Sequence, residues 1–365
     1  MNLVQITLPP SVDNTNTMRS VWKRRGIAAY LLGLVLTIFY VLVYWFPETL
    51  SEFISLFEPL SQWMRRAPAD QWFMYGTLYT LAILVMGVRM LYRYRGNRYQ
   101  MWRTWSVMVF QLVAAYILPA LFLAMERQEF YLTYFWPLKP EYLLPGSIDV
   151  FLGSGDALLT FLGGWTLVMS VIAVPVLTYF FGKRWYCSWV CGCGGLAETV
   201  GDPFRQNGSY SMTSWKIERW TVHSVLVLIV GVTAALWWTH GHPDSVLAPY
   251  AQTAWRVYGF VIGGLFSGVI GVGFYPILGS RIWCRFGCPM AAILGILQKW
   301  FSRFRITTNG GQCISCGNCS AYCEMGIDVR SYAQRGMDIK RASCVGCGVC
   351  SSVCPRGVLR LENNR

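Results

Sequence analysis

The chain has 365 residues, of which 54% are hydrophobic, 16% aromatic and only 13% charged, with a mean hydropathy of +0.38. That is too apolar and too charge-poor for an average soluble protein, and it reads as a membrane protein. The formal charge of +13 then belongs to basic loops on one membrane face rather than to a nucleic-acid surface.

The first 18 residues are polar and carry no Lys or Arg, so they lack the basic start and apolar core of a cleaved signal peptide. Residues 1–25 read as a cytoplasmic tail, and residues 26–288 as a membrane domain. Six apolar segments are long enough to cross a bilayer as helices: Ile27–Phe46, Trp72–Tyr92, Thr104–Met125, Ala157–Phe181, Trp220–Thr239 and Val257–Leu278. Basic residues gather before the first span (Arg19, Lys23, Arg24, Arg25), between the second and third, and between the fourth and fifth, whereas His240–Ala254 has none. The positive-inside rule therefore puts both termini in the cytoplasm. The loop "FYLTYFWPLKPEYLLPG" reads mainly as an aromatic belt at the opposite interface. Small residues four apart in the sixth span, Gly259 with Gly263 and Gly264 with Gly268, predict close helix packing.

The thirteen cysteines are clustered, five in two short stretches and eight in the last 53 residues. They are not a disulfide framework spread over a secreted domain, and such clustering favours metal or iron–sulfur ligation. "GKRWYCSWVCGCGG" from Gly182 and "GSRIWCRFGCPMAA" from Gly279 both read Gly-x-Arg, two more residues, then Cys-x-x-x-Cys. Each follows a span that ends on the cytoplasmic face. If each stretch continues as a helix, Cys187 pairs with Cys191 and Cys284 with Cys288 on one face. Four converging thiolates would complete a tetrahedral sulfur site, a third iron–sulfur or redox-thiol site. The competing reading is inert packing, since free cysteine packs as a small hydrophobe. Cys193 has no counterpart in the second stretch, and either replaces Cys191 as a ligand or does nothing.

Residues 289–310 read as an amphipathic interfacial helix and a turn-rich linker, "TTNGGQ". Residues 311–365 then carry two runs of C-x2-C-x2-C-x3-C, namely Cys313, Cys316, Cys319, Cys323 and Cys344, Cys347, Cys350, Cys354. This is the spacing of a bacterial two-cluster ferredoxin, in which the fourth cysteine of each run ligates the other cluster. Cys313, Cys316, Cys319 and Cys354 are thus expected at one 4Fe-4S cluster, and Cys344, Cys347, Cys350 and Cys323 at the second. A zinc ribbon also uses C-x2-C pairs but does not need two complete four-cysteine runs. Glu324 stands where a proline is usual.

With both features in view, the chain resembles the membrane polyferredoxins of the NapH, NosR and CcoG type. Cys284, Cys288 and Pro289 match that pattern fully, while Gly192 replaces the proline of the first motif. The resemblance implies electron transfer at a bacterial inner membrane. It is associated with quinol oxidation, electron supply to periplasmic copper or flavin partners, or metal reduction.

The expected fold is an all-α, six-span membrane bundle followed by a small α+β two-cluster ferredoxin domain. The expected function is an electron-transfer subunit. It would relay electrons between a quinone pool or cytoplasmic donor and a membrane or periplasmic partner, such as a flavin- or haem-bearing protein. The alternatives are a quinol dehydrogenase or metal-ion reductase in its own right, or a redox assembly factor. Few ionisable residues fall inside the spans, which favours a carrier over an enzyme. Haem is not expected, because His223 and His240, 17 residues apart on one helix, cannot clamp one haem.

Overall fold

The computed structural model describes residues 18–182 and 184–363, with side chains from Ile27 onward apart from Lys183 and Asn363. Residues 1–17, Lys183 and residues 364–365 lie outside the described residues, as do the side chains of the basic cluster ahead of the first span.

Six helices are long and apolar enough to cross a membrane: Gly26–Trp45, Gln71–Arg93, Arg98–Ala124, Ala157–Phe181, Met212–Gly241 and Leu247–Ile270. The chain is a multi-pass membrane protein. Three spans run close to the expected bounds. The third and fifth begin six and eight residues earlier, and the sixth begins ten residues earlier than the apolar run, because Leu247–Tyr258 is already helical, and ends at Ile270 rather than Leu278. The sixth span packs through Gly264 and Gly268, where an added Cβ would meet Tyr44 at 3.4 Å and Tyr40 at 3.0 Å. Gly259 and Gly263 face open space, so only half of the small-residue stripe is a packing surface.

The aromatic loop between the third and fourth spans is not a surface belt. Phe130, Phe135 and Tyr142 are buried, and Phe130 stacks on Tyr142 at 4.4 Å. Trp165 Nε1 in the fourth span donates to the Leu132 carbonyl at 3.1 Å. Trp136 Nε1 donates to Thr233 Oγ1 in the fifth at 3.2 Å. Thr233 lies eight residues inside the end of its span, about 12 Å along the helix. The loop therefore re-enters the bundle, and irregular backbone at that depth is tolerated because protein surrounds it.

After the fourth span the chain also turns back inward. It forms two short helices, Trp185–Trp189 and Gly192–Thr199. Gly195 packs on Val107 and Ile83 of the third and second spans. The helix Pro289–Phe301 buries Met290, Ala291, Ala292 and Leu294 in the same core and leaves Trp300 and Phe301 exposed.

A small two-stranded antiparallel sheet closes the C-terminal domain: β1 (Phe304–Thr308) pairs with β2 (Leu359–Asn363), Ile306 opposite Leu361. β1 precedes the expected boundary at residue 311, so the first strand of this domain lies in the segment read as linker.

Candidate metal centres

The two C-terminal cysteine runs fold as crossed partners. One small cavity is lined by Cys344, Cys347, Cys350 and Cys323; another is lined by Cys313, Cys316, Cys319 and Cys354. Each brings three thiols of one run to the last thiol of the other. The turns depend on glycines: Gly317, Gly346 and Gly348 have φ of 80°, 70° and 71°, a region L side chains avoid. Among the described residues no three His, Cys, Asp or Glu side chains converge tightly enough for a single metal ion. A cubane spreads its four ligands over four irons and suits wider spacing. Burial pushes the Cys347 thiol up to about 11 and the Cys319 thiol to about 12, and raises Cys323 and Cys350 as well. Thiols so disfavoured as thiolates ionise readily only beside a cation, which is the chemistry that metal binding supplies. The donor sets fit 4Fe-4S clusters.

The membrane motifs are built alike. Gly182 (φ 55°) and Gly279 (φ 95°) end the preceding helices in conformations reserved for glycine. Two residues on, Arg184 Nη1 donates to the Cys284 carbonyl at 2.7 Å, and Arg281 Nη1 lies 3.5 Å from the Cys187 carbonyl. Each arginine thus reaches across to the other motif. Cys191 N–H bonds the Tyr186 carbonyl at 2.9 Å and Cys288 N–H the Trp283 carbonyl at 3.0 Å. Both second cysteines are extended and open the next helix.

The expected continuous helix is therefore broken in each copy. The helix Trp185–Trp189 stops before Cys191, and Trp283–Gly287 stops at Cys288. The paired thiols meet around a turn, not on one helical face. Cys187, Cys191, Cys284 and Cys288 are all buried, in one core cluster, and act on one another electrostatically. Arg184 and Arg281 line this core and place positive charge beside the thiols. Cys193 hydrogen-bonds Cys191. Proline at Gly192 would require its neighbours to shift: a Cβ there would stand 2.6 Å from Gln111 Oε1 and 2.8 Å from the Tyr134 hydroxyl. Gln111 belongs to the third span, so the first motif packs directly against the spanning helices.

Sequence reasoning missed what joins the two regions. Glu324 is buried and bonded by Arg281 Nη2 at 3.0 Å, with Arg205 Nη1 3.4 Å away. Arg281 also lies 3.5 Å from Glu198, which pairs with Arg103. Arg103 Nη1 donates to the Cys347 carbonyl at 3.0 Å, and Gln100 donates to the same oxygen. Tyr99 bonds the Gly346 carbonyl at 3.0 Å, Ser188 the Val345 carbonyl at 2.8 Å and Arg184 the Ala342 carbonyl at 3.0 Å. The run Cys344–Cys350 thus faces the membrane domain. The one available signal was Glu324 in the place of a proline.

Comparison with known proteins agrees with this organisation. A 4Fe-4S dicluster domain matches residues 312–359, and a 4Fe-4S binding domain matches twice, over 163–208 and 260–307. The methylamine utilization ferredoxin-type protein MauN of Methylobacillus flagellatus is 25% identical over 162 residues, covering 43% of this chain and 54% of its own. YccM of Escherichia coli, named for electron transport, is 27% identical over 190 residues, 46% of this chain and 48% of its own. An uncharacterized protein of Methanocaldococcus jannaschii is 24% identical over 167 residues, 45% and 60%. The match spans about half the length of these relatives. No solved structure matches the chain.

Proposed function

We propose that this chain, of the membrane polyferredoxin type, is the electron-transfer subunit of an oxidoreductase complex in a bacterial inner membrane. It relays electrons between a quinone pool or a soluble donor and a membrane or periplasmic partner, with both termini and the ferredoxin domain in the cytoplasm. Cys313, Cys316, Cys319 and Cys354 hold an outer 4Fe-4S cluster; Cys344, Cys347, Cys350 and Cys323 hold an inner one. Cys187, Cys191, Cys284 and Cys288 hold a third, with Cys193 bonded to one ligand. When bound, each cluster takes up and releases one electron. The chain's own residues fix the order of the sites, through the hydrogen bonds that seat the inner run on the membrane domain.

The observation that carries this reading is the pair of cavities, each lined by four cysteines drawn from both runs. Anaerobic purification with iron and acid-labile sulfide counts, and an EPR spectrum of the reduced protein, test it. Iron for three cubanes, falling to two in Cys284→Ser, is expected. Iron for two, unchanged by that substitution, would remove the membrane cluster from the scheme.

A further inference from the structure

A chain of ion pairs runs between the inner cysteine run and the membrane motifs, and one carboxylate in it is incompletely matched. The chain begins at Arg89, whose side chain is half exposed, and at Arg93, both paired with Asp202. Arg205 joins Asp202 to Glu324, and Arg281 joins Glu324 to Glu198. Arg103 closes it on Glu198. Glu324 meets Arg281 on Oε1 and Arg205 on Oε2, and Asp202 meets Arg205 on Oδ1 and Arg93 on Oδ2. Glu198 differs: Arg103 and Arg281 both approach Oε2, while Oε1 is buried without a hydrogen-bond partner. An ionised oxygen buried without a donor is costly, and a proton on it removes that cost. Burial accordingly raises the Glu198 carboxyl above the usual carboxylate range, as does Glu324, while Arg103, Arg281 and Arg205 lower it. Tyr99 and Cys347 lie within electrostatic reach of the same group. The two arginines on Glu198 also touch the thiol regions. Arg103 Nη1 donates to the Cys347 carbonyl at 3.0 Å, and Arg281 Nη1 lies 4.0 Å from Cys284 Sγ.

We infer that Glu198 binds a proton when the inner cluster is reduced, so that electron uptake by this chain is coupled to proton uptake. This rests on the reading of Cys344, Cys347, Cys350 and Cys323 as cluster ligands. One electron enters the cluster from its donor and one proton comes from water, which the network meets at Arg89. An O–H bond forms at Glu198 Oε1 and the carboxylate becomes a carboxylic acid, so the net charge of cluster and network together is unchanged. The cause is electrostatic: a negative charge added in a buried, low-dielectric setting raises the proton affinity of a nearby carboxylate. Arg103, held by both Glu198 and the Cys347 carbonyl, couples the two. The linkage is reciprocal, and a proton on Glu198 makes the cluster easier to reduce. Glu324, with a guanidinium on each oxygen, stays ionised beside it.

Redox titration of the full protein over a range of pH, followed by EPR, tests the coupling. The inner centre, identified as the signal lost in Cys350→Ser, is expected to fall in midpoint potential as pH rises, by at most one proton per electron. In Glu198→Gln, which has no carboxylate to protonate, the inner potential is expected no longer to follow pH. A second readout is one that a merely structural role would not move. In reduced-minus-oxidised infrared spectra a carboxylic-acid C=O band is expected to appear on reduction, to shift in D2O and to be missing from Glu198→Gln. Should that variant fail to fold, the pH series and the infrared band of the wild type still decide. An inner potential independent of pH, a pH dependence that survives in Glu198→Gln, or reduction without a new carboxylic-acid band overturns the inference. Iron for fewer than two cubanes, with no inner EPR signal to titrate, sinks the cluster assignment instead, and the iron count tells the two failures apart.

Discussion

Glu324 carries the most consequence of any single side chain outside the cysteines. Burial would raise its pKa, but Arg281, Arg205 and Arg103 hold it down at about 2. A depressed carboxyl adds stability above its unfolded value of about 4.3, and that stability is lost as pH falls toward 2. The contribution is therefore constant across neutral pH. Glu324→Gln leaves Arg281 and Arg205 buried with part of their countercharge gone, at a cost of about 3–5 kcal/mol. Thermal unfolding followed by the iron–sulfur absorbance is expected to move down accordingly, and Glu324→Pro, the residue usual at this place, to be no better. Equal unfolding temperatures for the wild type and Glu324→Gln would mean that the network contributes nothing. Gly192 gives a second test with the opposite intuition. Gly192→Pro completes the Cys-x-x-x-Cys-Pro pattern, yet it must displace Gln111 Oε1 and the Tyr134 hydroxyl. Overpacking of that kind costs about 1–3 kcal/mol. Lower iron content or an earlier melt in detergent is the expected result; an unchanged protein would show that the loop yields without penalty.

At the level of elements, the two membrane motifs owe their likeness to shared turns. Gly182 and Gly279 stand at φ of 55° and 95°, with ψ of −173° and 162°, a region costing about 1–3 kcal/mol for other residues. A Cβ on Gly279 meets the backbone of Gly208 at 2.8 Å, and a Cβ on Gly182 meets Ser302 Oγ at 2.1 Å and the Phe304 Cβ, which its backbone holds in place, at 2.5 Å. Gly279→Ala and Gly182→Ala are therefore each expected to destabilise by more than the strain at φ alone, measured as a fall in melting temperature. An unchanged melting temperature in either would mean that the neighbouring chain yields. The spans were legible in the sequence because long apolar runs have one solution in lipid, and the ferredoxin cysteines because ligand spacing repeats. The break between Cys187 and Cys191 was not, since four-residue spacing fits a helix as well as a turn. Nor was the re-entrant loop legible: aromatic density alone does not separate a ring lying at an interface from one buried against Tyr186. The seating of the first motif on the third span depends on Gln111 meeting Gly192, a contact 81 residues apart in the chain, and local pattern carries no such information.

For the molecule as a whole, the question is whether the C-terminal domain hangs on a tether or is part of one body. Its inner run is held by backbone carbonyls at 342, 345, 346 and 347, all accepting from donors of the membrane domain. Its ion pairs to Arg281 and Arg205 are buried at both ends. Salt screens exposed charges within about 3 Å at 1 M but acts little on buried pairs. A protease site inserted after Gly311, whose surroundings are open, would cut the chain between β1 and the first cysteine run. The cut fragment is expected to co-elute with the membrane domain in detergent at low salt and at about 1 M salt alike, and to separate once Glu324→Gln is introduced. Release of the wild-type fragment by salt would mean that exposed charges hold it. A domain that stays bound keeps the inner cysteine run against the thiol site at every turnover, so electron transfer between them needs no docking step, and its rate would be independent of solvent viscosity.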